Sequence, residues 1–468
     1  MKTLSPKAGS LSRRDFCRTA AGAAAVFSAP LIVPSRLLGA DAPSNRLRIG
    51  HIGCGRIGRI HDMPGVFKSG LADIVALCDL DSKRVAEGKD LIAKFYREAG
   101  LTPPPIQTYG SYRDLLAQKD LDGVVISLPD HQHAEVAIAA IRAGKDVYLQ
   151  KPFTMTHAES VLLRAEVAKS DRILQVGSQQ RSWGETQQFR KACEFVRSGR
   201  VGRLTRVEIG LPVDPTKPDD PEQPIPANLN YDAWLGPTPS VYYTEQRVHP
   251  QLDYGRPGWL RNESYCLGMI TGWGAHHFDT AHWGMNMELG GPIKVEGHAK
   301  FPTNKIWNVH GAYDVDLLYP GDIRMKVSDK LPNGIKFIGD EGWIFVSREP
   351  DGAQTSSDPA MRPTTLKPLD ASDPKLLDPN GVTVKFPRSS SHHQNWLECV
   401  KSRATPLAPA PIAHCANTAC IVSWIAMKLG RPLTWDAKAE HFVNDAQADS
   451  MLSRPERAPY GASRLAAV

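Results

Sequence analysis

Three glycines and one carboxylate have the types and the spacing to hold a dinucleotide. The apolar run Leu47-Arg48-Ile49-Gly50-His51-Ile52 passes directly into Gly53-Cys54-Gly55-Arg56-Ile57-Gly58, a Gly-x-Gly-x-x-Gly loop. After a strand, Gly53 allows the tight turn, Gly55 lets backbone approach a pyrophosphate, and Gly58 lets the next helix sit close, with Arg56 and Ile57 carried in the same loop. The diphosphate then rests on the helix N-terminus. A chain with 38 glycines produces such spacings by chance, so context decides. Ala72 to Cys78 reads as a second strand, and Asp79 follows it at the distance, roughly 20 residues past the last glycine, where a carboxylate holds the adenosine ribose hydroxyls. Asp79 would repel a ribose phosphate, which favours NAD over NADP; Arg84 is the nearby residue that softens this preference.

Such a loop works only at the end of a strand in a layered sheet, and the chain supplies the layers. Helical stretches over 82–99, 134–143, 156–169 and 186–197 alternate with strand-like runs at 123–128, 146–149 and 173–177. The alternation predicts a doubly wound parallel sheet of the Rossmann type, an α/β domain over 45–200 whose ligands lie beyond the C-terminal strand ends. Pro129, His133, Gln150 and Lys151 fall just there. Past residue 200 the period changes to two, with runs at 205–211, 293–301, 309–318, 323–327, 335–338 and 343–346 joined by Gly, Pro and Asp turns. That pattern predicts a mainly antiparallel, open-sheet α+β domain over 201–440, followed by a tail over 441–468. The stretch 212–265 is rich in Pro and aromatics without periodicity, as functional insertions often are. Residues 350–391 read as a surface excursion, and helices over 394–401 and 414–429 bring the chain back.

Composition removes several function classes. The net charge is +6, but residues 1–40 carry +5 of it, leaving +1 for everything else, too little for a nucleic-acid footprint. Those forty residues read as a Tat export signal: Ser12-Arg13-Arg14-Asp15-Phe16, a short alanine-rich apolar stretch, then small residues around Ala40. The expectation is a periplasmic protein exported already folded, with no membrane attachment after signal removal and with any cofactor loaded beforehand. Seven scattered cysteines beyond the signal form no Cys-x-x-Cys pair, so neither a disulfide framework nor a zinc site is indicated. His276, His277, Asp279 and His282 cluster, but on a helix 276 and 277 point about 100° apart. No metal is expected.

Taken together, Gly53 to Gly58, Asp79, Pro129-Asp130-His131-Gln132-His133, Gly144-Lys145-Asp146-Val147, Lys151-Pro152 and Gly274-Ala275-His276-His277-Phe278-Asp279 resemble the Gfo/Idh/MocA oxidoreductases. The end of the chain, Asn395 to Ser402 and Gly430 to Asp436, resembles the exported branch of that family. The resemblance implies a small carbohydrate or cyclitol held between the nicotinamide and the second sheet. It also implies a lysine from a Glu-Lys-Pro motif at the reacting hydroxyl and a histidine from an Asp-x-x-x-His motif as base. The matches are Gln150-Lys151-Pro152 and Gly272-Trp273-Gly274-Ala275-His276, so the lysine and the histidine remain and both carboxylates are replaced. Imidazole titrates near neutrality and suits the base role, while a positioned ammonium stabilises developing negative charge. With glycine at 272, Asp279, His277 and His282 are the candidates to orient His276.

Gln179, Arg181 and Trp183, and Tyr254, Arg256 and Trp259, are candidate substrate contacts, since aromatic faces with Arg and Gln donors suit a carbohydrate; His277 and Asp279 join them. The reading is an exported NAD-dependent oxidoreductase acting on a sugar hydroxyl, with a tightly bound nucleotide and with homo-oligomers formed through the open sheet. Three other readings stay open: a redox-neutral glycosidase or lyase with bound NAD, an oxidoreductase that couples two sugars, and a non-catalytic carbohydrate-binding protein.

Overall fold

The first sheet follows from short β-branched runs bounded by well-capped helices. In the computed structural model, which describes residues 45–348, 364–389 and 391–466, the order of parallel strands is β3-β2-β1-β4-β5-β6. They are β1 (Leu47–Ile52), β2 (Ala72–Cys78), β3 (Gln107–Tyr109), β4 (Gly123–Ile126), β5 (Asp146–Leu149) and β6 (Leu174–Val176). Strand order reverses between β1 and β4, the switch point beyond which ligands bind in such sheets. Val124, Ile126, Val147 and Leu149 join one core with the helices at His133–Arg142 and His157–Ala168. Val125 and Tyr148 join the other, with Ser82–Glu98 and His392–Ser402. Both faces are therefore covered, which is why these strands read as continuous apolar runs.

Helix ends are set locally. Asp81 accepts from the backbone of Lys83 and Arg84 to start Ser82–Glu98, and Thr156 with Glu159 forms a capping box at His157. Gly100 and Gly144, both at positive φ, end the helices before them.

The second sheet has nine strands in the order β13-β12-β11-β7-β10-β9-β8-β14-β15, with only β7 and β10 parallel. Its strands are β7 (Leu204–Gly210), β8 (Lys294–Ala299), β9 (Tyr313–Tyr319), β10 (Ile323–Ser328), β11 (Gly334–Gly339), β12 (Gly342–Val346), β13 (Leu369–Ala371), β14 (Leu433–Asp436) and β15 (His441–Phe442). Tyr313, Val315, Leu317 and Tyr319 point inward to the helices Gly274–Met285 and Ala410–Leu429, while Asp314 and Asp316 point outward, where Lys326 bridges them. The mainly antiparallel open sheet is thus present. The surface excursion after residue 350 contributes edge strand β13, and the stretch from 441 contributes β15 before Arg454 pairs with Glu159. Residues 1–44, with the stretch read as an export signal, and residues 349–363, 390 and 467–468 lie outside the described residues. Ala410–Leu429 is long and apolar enough to span a membrane, but 78% of that stretch is buried against the rest of the protein, so it is a core helix.

Candidate active site

At the C-terminal ends of β1, β2, β4 and β5 lies a cleft with about 1560 Å³ of empty space, its open mouth included.

One end is built by the glycine loop. Gly53 has φ +97°, and a Cβ there would lie 2.3 Å from Ser127 O. A Cβ on Gly58 would meet Gly53 O at 2.5 Å, so the next turn packs against the loop. Gly55 differs: nothing lies nearer its Cβ position than Arg84 Nη1 at 3.9 Å, leaving an open cradle that a side chain would fill. The Asp79 carboxylate is fixed by Cys54 N (2.7 Å) and Asp81 N (2.9 Å), and burial pushes its pKa up. Arg84 is committed elsewhere. Its Nη2 donates to Pro250 O at 2.7 Å and its guanidinium covers the Tyr254 ring. An open cradle beside a fixed carboxylate fits the diphosphate and ribose of NAD.

The other end joins the two halves of the chain. Lys151 Nζ donates to Gly272 O at 2.8 Å, tying the loop after β5 to the turn that leads into Gly274–Met285. His276 lines the cleft from that helix, 5% exposed, with Nδ1 enclosed and making no hydrogen bond among the described residues. Burial, then the charges of Arg348 and Lys151, hold its pKa well below the usual imidazole value. The Arg348 guanidinium is stacked between Trp183 (4.3 Å) and Trp273 (4.5 Å). Asp130, beside them in the cleft wall, is pushed up to about 7 by burial, against the pull of Lys151.

This architecture matches a known family twice over. Residues 47–178 match "Oxidoreductase family, NAD-binding Rossmann fold", and residues 215–312 with 373–462 match "Oxidoreductase family, C-terminal alpha/beta domain". The chain belongs to the Gfo/Idh/MocA oxidoreductase family. Its relatives include inositol 2-dehydrogenase of Salmonella typhimurium, 32% identical over 223 residues, 47% of this chain and 56% of that one. A glycosyl hydrolase family 109 protein of Stenotrophomonas maltophilia is 28% identical over 234 residues, 47% of each. The chain thus spans about half the length of the curated relatives it matches. Among solved structures, the WlbA dehydrogenase of Bordetella pertussis, in complex with NADH and UDP-GlcNAcA, aligns over 84% of this chain and 99% of its own. Its TM-score is 0.57 at 16% identity, a likeness of fold.

Within this family frame the sequence-based site divides cleanly. Gly53, Gly55, Arg56, Ile57, Asp79 and Pro129 line the cleft, as do Gln150, Lys151 and His276. So do the expected substrate contacts Gln179, Trp183, Arg256 and Trp259. Four others do not. His133 is fully buried, its ring nitrogens 2.7 Å from Pro152 O and 2.9 Å from Leu128 O, where it joins two loops beneath the site. Arg181 and Asp279 form a buried bidentate pair at 2.8 and 2.9 Å. His277 sits between Gln180 (3.1 Å) and Asn333 (3.0 Å). The candidates to orient His276 are therefore all engaged elsewhere, His282 with Tyr319 Oη at 2.8 Å. The cause is the helix itself: every residue of Gly274–Met285 is buried, and the 100° step turns only the 276 face to the cleft. Tyr254 lies at the adenosine end, under Arg59 and Arg84.

Sequence reasoning missed His61, Trp234, Trp273 and Arg348, all in the cleft wall. His61 stands one helical turn beyond Gly58, a position that helix geometry makes findable; Arg348 carries no local signal. Among the described residues no group of three His, Cys, Asp or Glu side chains is placed to hold a metal.

Proposed function

We propose that this protein is an exported NAD-dependent oxidoreductase acting on the secondary hydroxyl of a sugar or sugar derivative. The observation that carries this reading is that Lys151 and His276 share one cleft with the open cradle at Gly55, and that the Lys151–Gly272 contact fixes their relative placement. A nicotinamide bound there supplies hydride acceptance and donation. Everything else falls to the chain. His276, neutral because burial and nearby cations disfavour its charge, takes the hydroxyl proton through Nε2, since Nδ1 is enclosed. Lys151 stabilises the oxygen as negative charge develops. Trp183, Trp259 and Trp273 give apolar faces for the ring and keep water out. The test is His276→Asn: turnover of a panel of aldoses and cyclitols falls by at least about 100-fold while NAD still binds. A variant that keeps its turnover removes His276 as base, and wild type that binds no NAD removes the reading.

One observation favours a nucleotide that stays bound. Residues 228–254 fold over the adenosine end: Ser82 N donates to Asn228 O and Asn230 N to Leu80 O, both at 2.9 Å, and Lys83 Nζ reaches Gln251 O at 2.7 Å. A retained cofactor suits a redox-neutral cleavage or a two-sugar exchange outside the cytoplasm. Denaturing the purified mature protein and assaying NAD separates the cases: near-stoichiometric nucleotide supports retention, and empty protein supports an ordinary dehydrogenase. Export rests on the Arg13-Arg14 motif and is tested by cell fractionation of an Arg13→Lys/Arg14→Lys variant. Self-association through the open sheet face is tested by sedimentation, where a clean monomer removes it.

A further inference from the structure

Beneath the cleft floor lies a carboxylate that none of the steps above uses. Asp62 is wholly buried at the end of the helical turn Gly58–Asp62. Its Oδ1 accepts from Gln150 Nε2 and from His393 Nε2, each at 2.8 Å, and its Oδ2 accepts from Ser127 Oγ at 2.5 Å. Burial pushes its pKa up, but the bonds from His393 and Ser127 outweigh that, so it is ionised.

An ionised carboxylate only accepts hydrogen bonds. Gln150 must therefore turn its NH2 toward Asp62, which leaves Oε1 facing the backbone N–H of Lys151 at 3.3 Å. The same carboxylate reaches a second residue of the cleft wall. His393 stacks on Tyr148 at 4.5 Å, and the Tyr148 hydroxyl accepts from Gln179 Nε2 at 3.3 Å. Gly177 makes room for both glutamines, since a Cβ there would lie 2.9 Å from Gln150 Oε1 and 3.1 Å from Gln179 Nε2. Gly65 makes room for His393 in the same way, at 2.3 Å.

We infer that Asp62 is a positioning residue: from 88 positions upstream it supplies the negative charge that the residue before Lys151 lacks, and through Gln150 and His393 it sets the polar wall beside Lys151. This rests on the oxidoreductase reading of the cleft. It explains why Gln is tolerated at 150: glutamate there would put two carboxylates in one buried site, where both cannot ionise.

The experiment is a charge swap in the full-length mature protein, comparing Asp62→Asn, Gln150→Glu and the double variant. The readouts are NADH affinity by fluorescence, and kcat and KM from pH 5 to 9 on the best sugar of the panel. Each single variant is expected to lose at least tenfold in kcat, and the double to recover to within about threefold of wild type. Gln150→Glu alone should also lose activity toward alkaline pH, where the shared proton leaves; a merely structural role would not produce that limb. Asp62→Asn within twofold of wild type in every readout, or a double variant no better than the worse single, overturns the inference. If Asp62→Asn does not fold, the alkaline limb of Gln150→Glu decides by itself. If wild type binds NADH but turns over no sugar, the oxidoreductase reading fails, and the same ranking of variants in NADH affinity still judges the role of Asp62.

Discussion

Arg181 offers the sharpest test of how the site is built, because sequence and structure assign it different work. As a rim residue it would hold substrate; in the structure it is 4% exposed and holds Asp279. The perturbation is Arg181→Met, which keeps the aliphatic stem and deletes the guanidinium. Three charge-assisted bonds disappear, to Asp279 Oδ2 at 2.8 Å, Asp279 Oδ1 at 2.9 Å and Glu288 Oε1 at 2.9 Å. The larger effect is the Asp279 carboxylate left buried without a partner, a situation that costs roughly 3–5 kcal/mol. At about 2–4 °C per kcal/mol for a domain of this size, the midpoint of the second domain drops by roughly 6–20 °C. Adding Asp279→Leu removes the orphaned charge and should return most of the loss, since buried ion pairs replaced whole are often neutral. Thermal unfolding followed by tryptophan fluorescence reads this directly, with Trp283 packed 4.8 Å from the guanidinium as a local reporter. The reasoning is refuted if Arg181→Met costs less than about 1 kcal/mol and instead raises the sugar KM tenfold, for then Arg181 is a substrate ligand.

Other consequences follow from the glycine loop and from burial. Gly55→Ala fills the open cradle and should lower NAD affinity at least tenfold in calorimetry while stability stays within about 0.5 kcal/mol. Gly53→Ala, forced to φ +97° against Ser127 O, should instead destabilise the fold by more than about 1–2 kcal/mol. Arg348→Met removes a charge that depresses His276, so the His276 pKa rises and the acid limb of the pH–rate profile moves to higher pH; an unmoved limb shows that Arg348 does not reach the base. The imidazoles of His51, His133 and His310 are each held down at about 4 by burial, chiefly. Their unfolded forms bind protons first, so stability should fall from pH 6.5 toward 4, by up to about 1.4 kcal/mol per pH unit for each. Asp130, raised to about 7, and Asp79 and Glu263, also raised by burial, oppose with the other sign, but the lowered imidazoles, with His157 at about 4 and His131, His277, His282 and His392 at about 3, outnumber them. Urea midpoints at pH 7.5, 6 and 5 check this, and a flat midpoint contradicts it.

What was legible in the sequence was local. The glycine loop, Asp79 and the strand-end residues Gln150 and Lys151 are separated from their structural context by one or two elements, and period alone places those. The helices read over 82–99 and 156–169 fall within a residue of the observed Ser82–Glu98 and His157–Ala168, because the caps at Asp81 and Thr156 and the stop at Gly100 are adjacent in sequence. What was not legible is pairing across the chain. Arg181 and Asp279 are 98 residues apart, Gln150 and Asp62 are 88 apart, and no composition rule says that they meet. His133 was placed correctly near a strand end, yet its direction depends on Leu128 and Pro152 carbonyls, which sequence does not orient. The short strands β3, β13, β14 and β15 have too few residues to show a period. The aromatic insertion has no period at all because Tyr231, Trp234, Tyr243 and Tyr265 form a small core of their own.

The two carboxylates absent from the local motifs have different fates, and the difference bears on the direction of the chemistry. The one beside Lys151 is supplied from Asp62; the one expected before His276 is supplied by nothing among the described residues, and His276 Nδ1 is left without an acceptor. A carboxylate there would favour the imidazolium, whereas burial with Arg348 and Lys151 nearby disfavours it. The resting His276 is therefore unprotonated, and the first step open to it is proton abstraction rather than proton donation. On the oxidoreductase reading proposed above, oxidation of the bound sugar then comes first, whether the cycle ends there or returns the hydride later. Single-turnover mixing should then show NAD-loaded protein reacting with an alcohol substrate faster than NADH-loaded protein reacts with the matching ketone at pH 8, with the gap closing as pH falls. A gap that stays constant with pH means that some other group holds the proton.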